Sequence, residues 1–417
     1  MAENERRLRQ VHEMMGDLGF GWDKGTARRG GVVDAIEPGV QGRIAEWRKS
    51  GLNIMMSEKS EAKPVSFLED CAVELKDLAE YTDKLTAIFD RNGVKGTWYA
   101  HASVGCLHVR PVLNMKQAGG AETMRAIAEE AFELVRSFGG SHSGEHGDGI
   151  VRSEFNDRMF GPVLPDLFRQ VKAMFDPQGM FNPGKITDAP KMDDRELFRF
   201  APGYEAEDFD SVLDWAAWPG AAGGFQGAVE MCNNNGACRK LSGGVMCPSY
   251  RATRNERDAV RGRANSLRLA MSGQLGPGAM ASDAMAETMK LCVSCKACKR
   301  ECPVGVDMAR MKVEVTAARA AKHGIPLHDR LIGNLPAYAP LASGLSGLSN
   351  LVQSVWRHVP GLASLVSRLT GFTTKRSLPK WHSNAFRNGE IGSAPTGAGP
   401  PVVLFADHFN RSFDPET

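Results

Sequence analysis

The sequence lacks the features that would assign it to several large classes. Its first residues, MAENERRLRQVHEMM, are charged from the start and contain no apolar run, so a secretory leader is not expected. Charge of either sign is not in excess. A net charge of +2 on 417 residues offers neither nucleic acid nor an anionic membrane an electrostatic reason to bind. No glycine-rich dinucleotide loop is present. The nearest stretch, GSHSGEHGDG (140–149), lacks the G-x-G-x-x-G spacing and carries His and Glu instead. No clean membrane span is present either. Leu331 to Trp356 contains no charged residue, but Asn334, Pro336, Pro340, Asn350 and Gln353 make it a poor one. Two amphipathic helices that pack on another domain or partner are the expectation there, with Leu362, Leu365, Val366 and Leu369 continuing at helical spacing.

Hydrophobic residues make up 42% and charged residues 24%, enough for two or three domains with cores of their own. Up to about residue 190, helical and strand-like patterns alternate. Met124, Ile127, Ala131, Leu134 and Phe138 share a helical face that stops at Gly139-Gly140. Leu164, Leu167, Phe168, Val171 and Phe175 repeat the pattern before DPQGMFNPGK. Thr97–Ala100 and Leu107–Leu113 read as strands, so this part is expected to be α+β. An acidic, aromatic linker is expected over 191–225, a cysteine-rich domain over 226–315 and a helical linker over 316–398. Val402–Phe405 then reads as a strand opening a new unit over 399–417, one that is cut short.

Nine cysteines are present, and seven of them fall between Cys232 and Cys302. This clustering suits metal ligands in a reducing cytoplasm better than a disulfide framework. Cys71 and Cys106 are left over, and are expected to be small buried apolar residues. Cys292, Cys295, Cys298 and Cys302-Pro303 follow C-x2-C-x2-C-x3-C-P, the spacing of a ferredoxin loop. Zinc ribbons use paired C-x2-C units and fit less well. In two-cluster ferredoxins the fourth cysteine serves the other cluster. Cys247-Pro248 is then expected to complete Cys292, Cys295 and Cys298 as a [4Fe–4S] site. Cys232, Cys238 and Cys302 remain for the second.

That second set has three thiolates, with Asn235 at the midpoint of CNNNGAC. The C-x5-C arrangement with a returning C-P resembles the three-iron site of succinate dehydrogenase iron–sulfur subunits. Two alternatives stand: a [3Fe–4S] cluster, or a [4Fe–4S] cluster whose fourth iron takes Asn235 or water. The basic run after Cys247, RATRNERDAVRGRANSLR, either faces an anionic cluster or partner or forms a solvated helix face.

YAHASVGCLHVRP and GEHGDGIVR supply His101, His108, Glu145 and His146. Two imidazoles across a turn plus a carboxylate make a divalent metal site with open positions. With MFDPQGMFNPGK, these motifs resemble the C-terminal half of FAD-linked oxidases of the vanillyl-alcohol-oxidase type. With the cysteine region, and GVMCPSYRATRNE in particular, residues 35 to 320 resemble large bacterial FAD/iron–sulfur D-2-hydroxy-acid dehydrogenases.

The resemblance implies a ferredoxin-like α+β substrate (cap) domain over 1–190, a mainly helical two-cluster iron–sulfur domain and a helical tail. It implies that a D-2-hydroxy acid is oxidised to the 2-oxo acid, with FAD as hydride acceptor and a quinone or carrier as final acceptor. His101, His108 and Glu145 would hold zinc or a similar ion, and His146 would be the general base. Arg48, Lys63 and Arg152 would hold substrate carboxylates, and Asn182 and Lys185 would approach the flavin. The family's FAD is held mainly by an N-terminal domain absent from this sequence. A separate flavin-bearing domain or chain is therefore expected as partner, and the final strand resembles the start of a truncated cysteine-rich CCG domain. The competing expectation is a non-catalytic electron-transfer subunit or gene fragment. Location is expected to be cytoplasmic, with peripheral contact at the inner membrane face left open.

Overall fold

The structure, a computed structural model, describes residues 2–23, 25–359, 361–387 and 405–416. The chain divides into two compact units, Met1–Glu314 and Val315–Thr417. The proposed strand at 402–405 lies outside the described residues except for Phe405.

The first unit begins with α1 (Ala2–Asp17), a short parallel pair β1 (Phe20–Gly21) and β2 (Arg28–Arg29), and α2 (Pro38–Met56). Its organising element is a four-stranded sheet of β3 (Lys63–Pro64), β4 (Cys71–Ala72), β5 (Gly96–His101) and β6 (Cys106–Leu113). β3, β4 and β5 all pair antiparallel with β6. Successive side chains of a strand point to opposite faces, and β6 uses this fully. Leu107, Val109 and Leu113 enter the core against α3 (Leu78–Arg91) and α4 (Ala118–Ser137). Cys106, His108 and Arg110 are thereby turned to the other face.

The β5–β6 turn closes at Gly105, whose φ is +71°, and a Cβ there would meet Val73 O at 1.9 Å. Only glycine fits. α4 buries Met124, Ile127 and Ala131 as the spacing predicts. It ends at Ser137 with Gly139 at φ +66° and the Gly140 N–H returning to Val135 O at 2.9 Å. Both strands expected from the sequence are present.

α5 (Asn156–Phe160) and α6 (Val163–Phe175) follow. The apolar stripe on α6 is not buried as expected: Leu164, Leu167, Val171, Met174 and Phe175 are exposed, Phe175 at 80%. Residues 191–225 are not a free linker. Trp215 is buried, and Glu314 accepts its indole N–H at 2.8 Å and the N–H groups of Val212 and Leu213.

The cysteine region is built of α7 (Phe225–Glu230), α8 (Pro248–Thr253), α9 (Val260–Met271), α10 (Asp283–Lys290) and α11 (Ala297–Glu301), followed by α12 (Met308–His323). In the second unit, the uncharged stretch folds as the end of α13 (Leu327–Gly333) with α14 (Leu335–Gly344) and α15 (Ser346–His358). α16 (Leu362–Thr370) carries the continuing apolar spacing, and α17 (His408–Phe413) closes the described chain. Among the described residues no helix is long and apolar enough to cross a membrane.

Candidate functional site

The sheet register assembles the histidines. His101 lies opposite Cys106 and Tyr99 opposite His108, so these side chains share the sheet face turned from the core. The Ser141–His146 loop is strapped onto β4. Ala72 and Ser141 exchange backbone hydrogen bonds at 2.9 Å, and the Gly144 N–H donates to Asp70 O at 2.7 Å. This brings Glu145 and His146 over the same face.

One carboxylate oxygen, Glu145 Oε1, is the point of convergence. His101 Nε2 lies 3.2 Å from it, His108 Nε2 3.0 Å and His146 Nε2 3.3 Å. The His101 and His108 rings meet edge-on at 5.0 Å, and His146 stacks on His108 at 4.8 Å. Burial first, and then the neighbouring His146, push the His108 pKa below its ordinary value. A neutral imidazole keeps the lone pair that a metal needs. Two imidazole nitrogens, from His101 and His108, and the Glu145 carboxylate are a donor set that fits a divalent ion, with His146 beside it.

Asp70 and Glu69, which the sequence reading did not pick out, hold this arrangement. Asp70 is fully buried and accepts the N–H groups of Glu145 (3.0 Å) and His146 (2.7 Å) and the Ser143 hydroxyl (3.3 Å). Burial alone would raise its carboxyl. The His146 and Glu145 N–H groups, with the charges of His146 and Arg152, outweigh that and hold it below the ordinary value. Glu69 is ion-paired with Arg110, and its Oε1 lies 3.8 Å from His146 Nδ1. The only sequence signal for this pair was two acids inside the apolar run FLEDCAV.

Arg152 is buried, with its guanidinium on the carbonyls of Glu69 and Gly147 and 3.7 Å from Asp70. It holds the loop from beneath. Lys63 is half-buried, on Glu58 O and 3.6 Å from Met231 Sδ, and burial lowers its pKa. It lines an open pocket of about 340 Å3 together with Lys59, Arg110, Lys116 and Arg199. Arg48 lies exposed on α2, a helix with no buried residue. Asn182 and Lys185 are exposed on the loop after α6, where Asp176 accepts the Met180 and Phe181 N–H groups.

Cys247, Cys292, Cys295 and Cys298 line one small pocket. Four thiols around one void fit a four-iron cubane. Buried Arg263 reaches it, with Nη1 3.8 Å from Cys247 Sγ and Nη2 3.1 Å from Ser249 Oγ, so the basic run turns at least this charge toward a thiol site. Cys232, Cys238 and Cys302 form the other group. Burial is the main cause raising the Cys232 thiol, and a nearby Cys302 adds to it. Cys238 is likewise raised by burial, with Cys232 adding, and it accepts the Arg261 N–H at 3.4 Å. Asn235 is exposed and its carboxamide serves the turn, accepting from Ala237 N–H at 2.8 Å and donating to Asn233 Oδ1 at 2.6 Å.

Two family models match separate stretches of the chain. Residues 2–186 match the family model for FAD linked oxidases, C-terminal domain, and residues 228–306 that for the 4Fe-4S dicluster domain. The chain is 29% identical over 368 residues to D-2-hydroxyglutarate dehydrogenase of Pantoea ananatis, covering 78% of this chain and 35% of that protein. It is 28% identical over 416 residues to the protein of that name from Pseudomonas putida (89% and 40%). The identity is 30% over 339 residues to that from Escherichia coli (72% and 32%). The chain thus spans about a third of the length of the curated relatives it matches. It joins an FAD-linked oxidase C-terminal domain to a 4Fe–4S dicluster domain, and it is homologous over most of its length to proteins named D-2-hydroxyglutarate dehydrogenase.

Proposed function

We propose that this chain supplies the substrate site and the first electron-transfer module of an FAD-dependent D-2-hydroxy-acid dehydrogenase. The convergence of His101, His108 and His146 on one oxygen of Glu145 carries this reading. An electron-transfer subunit without a substrate of its own has no use for such a set, so the catalytic reading is preferred.

His101, His108 and Glu145 would hold a divalent ion, zinc in this reading, which when bound makes a substrate hydroxyl more acidic. FAD when bound supplies the hydride acceptor, and Asn182 and Lys185 stand on the exposed loop where it would approach. His146 takes the hydroxyl proton as the Cα–H departs as hydride. The substrate so loses two electrons and two hydrogens and becomes the 2-oxo acid. Lys63 and Arg110 line the adjoining cavity, and with Arg48 they offer cations to substrate carboxylates. Arg152 acts from beneath, by fixing the backbone that carries Glu145 and His146. The unburied stripe on α6 suits a flavin-bearing partner, with a quinone or other carrier accepting the electrons. All nine cysteines are free, which suits a reducing cytoplasm.

Cys247, Cys292, Cys295 and Cys298 hold [4Fe–4S] in this reading, and Cys232, Cys238 and Cys302 hold [3Fe–4S], since the Asn235 carboxamide is committed to its turn. Iron and flavin analysis of one anaerobically reconstituted sample tests it. About seven irons per chain are expected, from one three-iron and one four-iron cluster, with little flavin until a flavin-bearing partner is added. About eight irons would give the second site a four-iron cluster. Stoichiometric FAD on this chain alone would remove the need for a partner.

A further inference from the structure

Four ligand atoms, one each from Asp70, Cys106, His108 and Glu145, lie within 4.8 Å of one another. Cys106 is the member of this set that the proposed chemistry leaves unused. Its place follows from the strand. It stands two residues before His108 on β6 and directly across from His101, so the pleat turns its thiol to the histidine face. Cys71, by contrast, is wholly buried within the hydrophobic core. Both cysteines are buried, as expected for small apolar residues, but Cys106 does not sit among apolar groups. Its Sγ lies 3.5 Å from Asp70 Oδ1. Space is kept for it: a Cβ on Gly144 would come within 3.1 Å of that sulfur. On the same face His108, only 2% exposed, has a buried Nδ1 with no hydrogen-bond partner.

Asp70 is already committed to the Glu145 and His146 N–H groups and to the Ser143 hydroxyl. The thiol, a weak donor, gives one hydrogen bond to that carboxylate, S–H to Asp70 Oδ1 at 3.5 Å. A soft sulfur among imidazoles and a carboxylate favours zinc over magnesium, calcium or manganese, which take oxygen donors. We propose that Cys106 Sγ, as thiolate, is a ligand of the divalent ion held by this cluster and makes the site select zinc. The thiol proton is released to solvent when the metal binds. This inference rests on the reading that the cluster holds a divalent ion, and it goes beyond it by naming the ligand that sets the metal's identity.

Zinc-edge X-ray absorption on the full chain tests it, with the clusters reconstituted first and one equivalent of zinc added afterwards. The wild-type protein is expected to show one sulfur at about 2.3 Å beside nitrogen and oxygen at about 2.0–2.2 Å. Cys106→Ser should lose the sulfur shell and keep its iron content. A wild-type spectrum with nitrogen and oxygen alone overturns the proposal and leaves the metal site standing, and no variant is needed to see it. A sulfur shell that persists in Cys106→Ser also overturns it, because that sulfur belongs to another cysteine. If His108→Ala binds zinc as well as wild type does, the metal reading falls and this proposal with it.

Discussion

His146→Ala is expected to lower turnover of the flavin-loaded enzyme by roughly 10²- to 10⁴-fold, the usual worth of a positioned general base. The ring stacks on His108 at 4.8 Å, with Nε2 toward the convergence point and Nδ1 3.8 Å from Glu69. Such a ring can take a proton at Nε2 while Glu69, held by Arg110, steadies the other side. The side chain is 44% exposed, so its removal opens no core cavity, and the fold should be unaffected. Iron content should therefore match wild type, and zinc content should as well, because His101, His108 and Glu145 remain. Alanine leaves substrate binding largely in place, so the loss should appear in kcat rather than KM. Turnover within a few-fold of wild type would remove His146 from the base role. A parallel loss of zinc would make it a ligand instead.

What could be read from the sequence was whatever a short-range rule controls. The period-two alternation of CLHVRPVL put Cys106, His108 and Arg110 on one face and Leu107, Val109 and Leu113 on the other. The glycine pair after Phe138 ended α4 on schedule. Cysteine spacing, with the ferredoxin rule that a fourth cysteine serves the other cluster, suggested two thiol groups, and Cys247, Cys292, Cys295 and Cys298 do line one pocket. The α6 stripe was equally visible as a pattern, but periodicity says only that a face is apolar and not what covers it. Among the described residues Leu164, Leu167, Val171, Met174 and Phe175 stay exposed. Asn235 was placed at a cluster corner by counting positions, and short polar side chains in such loops readily bond their own backbone, as Asn235 does with the Ala237 N–H. Asp70 was the larger omission. Its partners lie 73 to 76 residues away, so no local pattern could mark it.

Asp70→Asn is therefore expected to be strongly damaging to the first unit. Asp70 has a φ of +94°, a region that few residues other than glycine occupy. Asparagine tolerates it as well as aspartate does, so the backbone adds no cost. The loss lies in the side chain, where two N–H groups and a hydroxyl now point at a carboxylate. A carboxamide presents one acceptor oxygen and an NH2 group that must face donors. Removing one partner from such a buried, charge-assisted set costs about 3–5 kcal/mol, and the 3.7 Å contact to Arg152 loses its counter-charge as well. Denaturant unfolding of the chain should register that loss. The Glu145–His146 loop should come away from β4, and zinc binding and turnover should fall together. This distinguishes the variant from His146→Ala, which leaves the metal in place. The depressed carboxyl sets the acid side of the same behaviour: Asp70 contributes its stabilisation fully above about pH 4, the ordinary aspartate range, and loses it as pH falls through the lower folded value. Asp70→Asn should therefore flatten the acid limb of the stability profile. A variant with wild-type zinc content, stability and acid limb would show that the loop holds its shape without Asp70.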